Sequence, residues 1–470
     1  MLTLSKKFFL ISSVIVLSSC SFVKNSSSNI SQPNVSKIVD ENIPENDIII
    51  NMAVLDFDNY KLEQEVLKEF NEADNGYHIN VIDYAEFYDF NPEESSDIGE
   101  SYTAADMRIV QDILNKDDID MTLNLLTIER VFSLAQKGAF VDFNELIKSD
   151  TDKNAINLNE HILELCEIDS KLYYMPFGYS INTLYGYEEY VGKIDDWNIS
   201  SMKANWKKMP EGSLFSKQHM GGVDTASGIF YDLCMNCVPS FINYKNNKCR
   251  FDSDEFIELL DFTKEFKADG LIDKSKFVAE EYFLSTAKID SFECFQEYLY
   301  DYGRNKKISF VGYPSTDCSN SFVSLYGDAE ICAKASKEVQ KGAWEFIKLL
   351  ISEKIQNKMF FPEIIEDNNI SLGFPINNDS LKNKADELIS NNNYNTVIYI
   401  NGNECNMGNF TSEQYDILKE VINNTNHLEF EIGGLYNIIY EEVELMIDGD
   451  QSSAQTAKNI QSRASILLSE

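Results

Sequence analysis

Asp56 and Asp58 stand two residues apart in Asp56-Phe57-Asp58-Asn59-Tyr60, and in an extended chain such a pair shares one side. Two carboxylates so placed could serve a hydrolase as acid and base, or accept hydrogen bonds from sugar hydroxyls. The pattern is unspecific, because 77 acidic residues generate many such pairs. Asp58 also has a plain structural alternative as the cap of a helix beginning near Leu62. Cys234-Met235-Asn236-Cys237 has the C-x-x-C spacing of a redox pair or half a zinc site. No second C-x-x-C follows, and neither His219 nor His427 stands at finger spacing. No metal is therefore expected, while a disulfide among Cys234, Cys237 and Cys249 stays open. The sequence contains no G-x-S-x-G elbow, no G-x-x-x-x-G-K-[ST] phosphate loop and no H-E-x-x-H zinc motif. The four histidines, at 78, 161, 219 and 427, sit in unrelated contexts. Neither a catalytic centre nor a cofactor is expected.

Elements that could hold such groups follow the early part of the chain. Ile48 to Leu55 is a nearly continuous apolar run of strand length, the pattern of a strand covered on both faces. Leu62, Val66, Leu67 and Phe70 at helical spacing predict a helix, and Tyr77 to Tyr84 a second strand. Strand, helix, strand implies a parallel α/β unit with a right-handed crossover. The pattern continues through a helix around Ala105 to Leu114, a strand at Met121 to Leu126, and a helix through Val131 and Ala135 that stops at Gly138. Asp252 with Glu255 and Thr411 with Gln414 predict helix caps, and Ala343 to Ile351 a further apolar stripe in which Trp344 packs.

The chain has 470 residues, 43% hydrophobic and 12% aromatic, enough for two or three domains with real cores. Lys plus Arg is 40 against 77 Asp plus Glu, a net charge of −37 that repels phosphate backbones; nucleic acid is not an expected partner. Ligands should be neutral or cationic, since the arginines, Arg108, Arg130, Arg250, Arg304 and Arg463, avoid the strand ends.

Lys6 and Lys7, the apolar stretch Phe8 to Leu17, and Leu17-Ser18-Ser19-Cys20 resemble a bacterial lipoprotein signal. That resemblance implies a signal peptide over 1–19, lipidation of Cys20, and attachment to the outer face of the cell membrane. The apolar run covers only about half of the roughly twenty residues that a spanning helix needs. Residues 20–45, Ser- and Asn-rich with Pro33 and Pro44, are expected to be a flexible tether.

Three further segments resemble the extracellular solute-binding proteins of ABC importers, family 1, the group that includes maltose-binding protein. Asp169-Ser170-Lys171-Leu172-Tyr173-Tyr174-Met175-Pro176 is similar to the strand leading into that family's first interdomain crossing. Gly312-Tyr313-Pro314, Ser324 to Ala333 and Ala343-Trp344-Glu345-Phe346-Ile347-Lys348-Leu349-Leu350 resemble the second crossing and the helix after it. Gly373-Phe374-Pro375-Ile376-Asn377 is similar to the third. Two turns depart from the pattern, Ser170 for the usual glycine and Asp120-Met121 for the common Pro-Asp.

The resemblance implies an α/β, two-lobed periplasmic-binding-protein-like fold of type II with three hinge crossings. Lobe I would comprise 46–177 plus 325–371, and lobe II 178–323 plus 374–470. A ligand would bind between the lobes and favour their closure. In open α/β sheets ligands sit beyond the carboxyl ends of strands, which selects Asp56, Asp58, Tyr60, Tyr84, Tyr88 and Asn124 from lobe I. Tyr179, Asn182, Gly221, Asp224, Tyr326 and Asp328 are the counterparts near the crossings and in lobe II. Aromatic faces beside Asp and Asn suit a mono- or oligosaccharide. The expected function is a monomeric, non-enzymatic receptor that delivers the solute to the membrane subunits of an importer. A peptide or polyamine receptor of the same fold, or a secreted glycoside-acting enzyme, are the alternatives.

Overall fold

The computed structural model describes residues 36–38, 46–85, 108–115, 118–151, 156–217, 224–243, 247–266, 281–301, 306–316, 319–362, 373–391, 397–400, 403–429 and 433–469. Cys20, Tyr88 and Gly221 lie outside them. The strands used below are β1 (Ser36–Ile38), β2 (Ile48–Val54), β3 (Tyr77–Asp83), β4 (Met121–Leu123), β5 (Met175–Tyr187), β6 (Leu214–Ser216), β7 (Tyr282–Ile289), β8 (Ile308–Phe310), β9 (Phe322–Ile331), β10 (Phe374–Pro375) and β11 (His427–Leu428). They form one mixed sheet in the order β1-β3-β2-β4-β9-β5-β7-β6, with β8 and β10 on β5 and β11 on β9.

β2 is parallel to both β3 and β4, as the strand-helix-strand pattern requires. Ile50, Met52, Ala53 and Val54 are fully buried, so helices cover both faces of this strand. Helix α1 (Lys61–Glu72) turns Val66 and Phe70 inward, and Phe70 meets Phe346 of helix Lys337–Leu350 edge-on at 5.4 Å. Trp344 on that helix is buried, packs edge-on against Phe143 at 5.9 Å, and donates its Nε1–H to Asp150 at 2.8 Å. It is the packing residue that its stripe predicts.

Two long antiparallel strands join this half of the sheet to the other. β9 pairs with β4 through Ala329–Ile331 and with β5 from Phe322 to Ala329. β5 goes on to pair with β7 through 181–185 and with β8 through 185–187. β10 lies on β5 at Gly178 and Tyr179, the residues that face Tyr326 and Leu325 of β9. The three segments expected as crossings therefore lie side by side at Gly178–Tyr179.

Glycine is required at this junction. A Cβ on Gly178 would lie 2.1 Å from the Phe360 ring, and one on Gly373 would lie 2.5 Å from the Tyr179 carbonyl and 2.6 Å from the Tyr326 ring. Gly373 also has φ +98°, a conformation that strains any residue with a side chain.

Four sequence expectations are corrected. Ser36–Ile38, inside the expected tether, forms β1, because β3 presents an open edge that three residues can pair with. The strand expected to reach Leu126 ends at Leu123, where Asn124 turns to φ +48°. Asp58 caps no helix: a 3₁₀ turn occupies Phe57–Asn59 and Tyr60 is the cap position of α1. The cap expected at Asp252 belongs to Ser253, which accepts from the Phe256 amide. The capping box of Thr411 and Gln414 is present in both directions. Cys234 and Cys237 are buried free thiols and Cys249 a half-buried one, so the open question of a disulfide among them is answered. Among the described residues no helix is long and apolar enough to cross a membrane.

Candidate functional site

Beyond the carboxyl ends of β2, β3 and β4 the backbone is held by side chains rather than by a ladder. Asp83, the last residue of β3, accepts from the amides of Asp56 (2.9 Å), Phe57 (2.8 Å) and Ala85 (2.8 Å). One carboxylate thus shapes the loop after β2. Asp56 takes φ +53° there, is exposed, and accepts from the Asn59 carboxamide. Asn124 donates its amide to the Asp328 carbonyl at 2.9 Å and accepts the Asp328 amide on Oδ1 at 3.0 Å. That exchange ties the end of β4 to β9 and places Asp328 beside the loops.

Tyr60 is half-buried at this end, and burial raises its hydroxyl above the ordinary value. Glu63, Asp56, Asp328 and Asp83 each push it further, which puts all four carboxylates within electrostatic reach of the ring. Burial pushes the Asp328 carboxyl up to about 7. Two residues on, on the same face of β9, fully buried Glu330 accepts from the Thr122 hydroxyl. Burial and then the Asp328 charge lift Glu330 well above the carboxylate range. Asp58 is exposed on the 3₁₀ turn.

A second polar row runs along β5 and β9 past the junction. Ser180 donates to the Tyr326 hydroxyl at 3.1 Å. Asn182 donates to Ser324 Oγ at 2.9 Å and Glu429 Oε2 at 2.6 Å, and Ser324 donates to the same carboxylate. Lys288 lies 5.7 Å from the Tyr326 ring centre, and its ammonium is raised chiefly by its hydrogen bond with that tyrosine. Tyr326 and Asn182 thus share one face with a lysine and a carboxylate that their own sequence segments do not announce.

Three expected contacts have other partners. Tyr84 is 1% exposed and donates to Asp112 at 3.1 Å, on helix α2 (108–115), where Arg108 also bonds Asp112. Tyr179 is fully buried, accepts from Asn159 at 3.2 Å and packs on Phe374 at 6.0 Å. Both rings belong to the core, because residues along a sheet with two faces alternate between open and covered sides. Asp224 accepts from the amides of Phe215 and Ser216 and closes the turn beyond β6.

A cavity of about 490 Å³ is lined by Phe132, Leu165 and Glu167 together with Phe241, Arg250 and His427. None of the residues expected from strand ends lines it. Arg250 lies over the Phe241 ring at 4.8 Å, and burial followed by the Arg250 charge lowers His427. No periodicity or motif marks these positions in the sequence. Among the described residues no cluster of His, Cys, Asp and Glu could hold a metal ion.

No protein-family model matches the sequence, and no curated protein matches it. Solved structures do. A family 1 extracellular solute-binding protein from Alicyclobacillus acidocaldarius aligns with 91% of this chain and 100% of its own, at 11% identity and a TM-score of 0.51. A family 1 protein from Bifidobacterium longum subsp. infantis covers 89% and 99%, at 13% identity and 0.48. An ABC substrate-binding protein from Listeria monocytogenes, solved with cycloalternan, covers 90% and 99%, at 15% identity and 0.46. Whole-length alignment to the first of these, with the mixed sheet and its three adjoining crossing strands, gives the chain the α/β fold of the family 1 extracellular solute-binding proteins.

Proposed function

We propose that this chain captures a small solute, a mono- or oligosaccharide, and presents it to the membrane subunits of an ABC importer without changing it chemically. The observation that carries this is the convergence of β5, β9 and β10 at Gly178–Tyr179. Three adjacent backbone strips make a hinge that can bend in one plane, and polar groups gather on both sides of it. In this reading lobe I is 46–177 plus 325–371 and lobe II is 178–323 plus 374–470. Asp56, Asp58, Tyr60, Asn124 and Asp328 supply acceptors and an aromatic face from one lobe. Asn182, with Lys288 and Glu429, supplies the other, and Tyr326 stands at the second crossing between them. Closure is favoured because only the closed form lets both sets touch the ligand. The protein acts as a monomer, held to the outer face of the membrane through lipidated Cys20.

The carboxylates around Tyr60 favour a second reading, a cationic solute such as a polyamine. A thermal-shift screen over sugars, peptides and polyamines separates the two. A true ligand at a hundred times its dissociation constant adds about 2.7 kcal/mol of stability. The receptor reading is overturned by turnover of any glycan that Asp56→Asn abolishes.

A further inference from the structure

The sheet ends in a strand that the sequence gives no reason to expect. β1 pairs antiparallel with β3 in the register Ser36↔Asp83, Lys37↔Ile82, Ile38↔Val81. Without it β3 would be the edge of the sheet, with a row of open N–H and C=O groups available to another chain. Because the pairing is antiparallel, Ser36 lies at the carboxyl end of β3 and Ile38 further from it. The chain preceding Ser36 therefore joins the folded body at the end where Asp83 holds the amides of Asp56, Phe57 and Ala85.

We propose that Ser36–Ile38 is a strand clamp that fixes the membrane tether to the site-bearing end of the sheet. Its membrane consequence rests on the Cys20 anchor proposed above; the clamp itself does not. With the clamp closed, residues 21–35 are the whole tether, and at about 3.6 Å per residue they reach at most about 54 Å. With it open, residues 21–47 would reach about 100 Å at the same spacing. The clamp thus halves the distance at which the binding end can stand from the bilayer. A pull on the tether is then borne first by the pairing of β1 with β3.

Trypsin tests this on the full chain attached to vesicles, because Lys24 lies in the tether and Lys37 in the clamp. In the parent protein the Lys37–Ile38 bond should be cut at least tenfold more slowly than Lys24–Asn25. Ser36→Pro, which keeps the Lys37 site but removes a ladder donor, should bring the two rates within about twofold. The same variant should speed amide exchange in Val81–Asp83 at least tenfold and leave Ile48–Val54 unchanged. Equal cutting of Lys24 and Lys37 in the parent, or unchanged exchange at Val81–Asp83 in Ser36→Pro, overturns the clamp. Release of the folded body from vesicles after cleavage at Lys24 alone supports the tether's role. Retention with Lys37 still protected overturns the Cys20 anchor and leaves the clamp standing.

Discussion

At the scale of single residues, the site end is organised by carboxyl and carboxamide groups that bond backbone. Asp83→Ala removes the acceptor for three amides, and leaving such groups without a partner costs about 1–3 kcal/mol each where they are buried. We expect Asp83→Ala to lower the urea midpoint and to weaken solute binding more than Asp58→Ala does, read by denaturation and by calorimetry with the best ligand of the screen. Asp328 predicts a pH dependence. Its folded pKa is raised, so the folded state binds a proton that the unfolded chain releases near 4. That contribution is fully present below pH 4 and is lost as pH rises to about 7. Asp328→Asn should therefore flatten the fall in stability between pH 4 and pH 7, measured by urea denaturation across the range. Glu63 and Glu330 are raised in the same direction, so a residual slope should persist. Asp56 and Tyr60 could be picked from the sequence because they lie in the loop that follows the run Ile48 to Leu55, and Asn124 because it lies within the run Met121 to Leu126. Lys288 and Glu429 could not, since only the pairing of β5 with β7 and β9, and of β11 with β9, brings them to Tyr326 and Ser324.

At the scale of elements, periodicity located what packs. The stripe Leu62, Val66, Leu67, Phe70 became α1, and the stripe Ala343 to Ile351 lies in the helix that meets it through Phe346. Phe70→Ala leaves a cavity at that contact and should cost about 3–5 kcal/mol, visible as a shifted denaturant midpoint with an unchanged slope. The ends of elements were less legible. The run at Met121 to Leu126 reads as six strand residues, yet the bond from the Asp328 amide to Asn124 breaks the strand after three. A partner 204 residues away in sequence made that decision. β1 is a similar case: Ser-Lys-Ile has no strand signature of its own and pairs because an open edge lies beside it.

At the scale of the whole molecule, Gly178 and Gly373 stand where β5 and β10 meet beside β9. Gly373→Ala forces a Cβ against the Tyr179 carbonyl and the Tyr326 ring at a positive φ. We expect it to reduce solute affinity at least tenfold, about 1.4 kcal/mol, by titration calorimetry, while Gly449→Ala, also at positive φ but with open space around it, should leave affinity unchanged. A bound ligand should also shrink the radius of gyration in solution scattering, and Gly373→Ala should blunt that change. From residue order alone came the α/β class, the early β-α-β winding and the excess of negative charge, because apolar period and charge are local properties of a chain; the three crossing segments came from the resemblance to a known family. Folding decided which tyrosines face outward, which distant lysine and carboxylate join Tyr326, and where the N-terminal segment attaches. Those outcomes depend on contacts between segments distant in the chain, and no local pattern carries them.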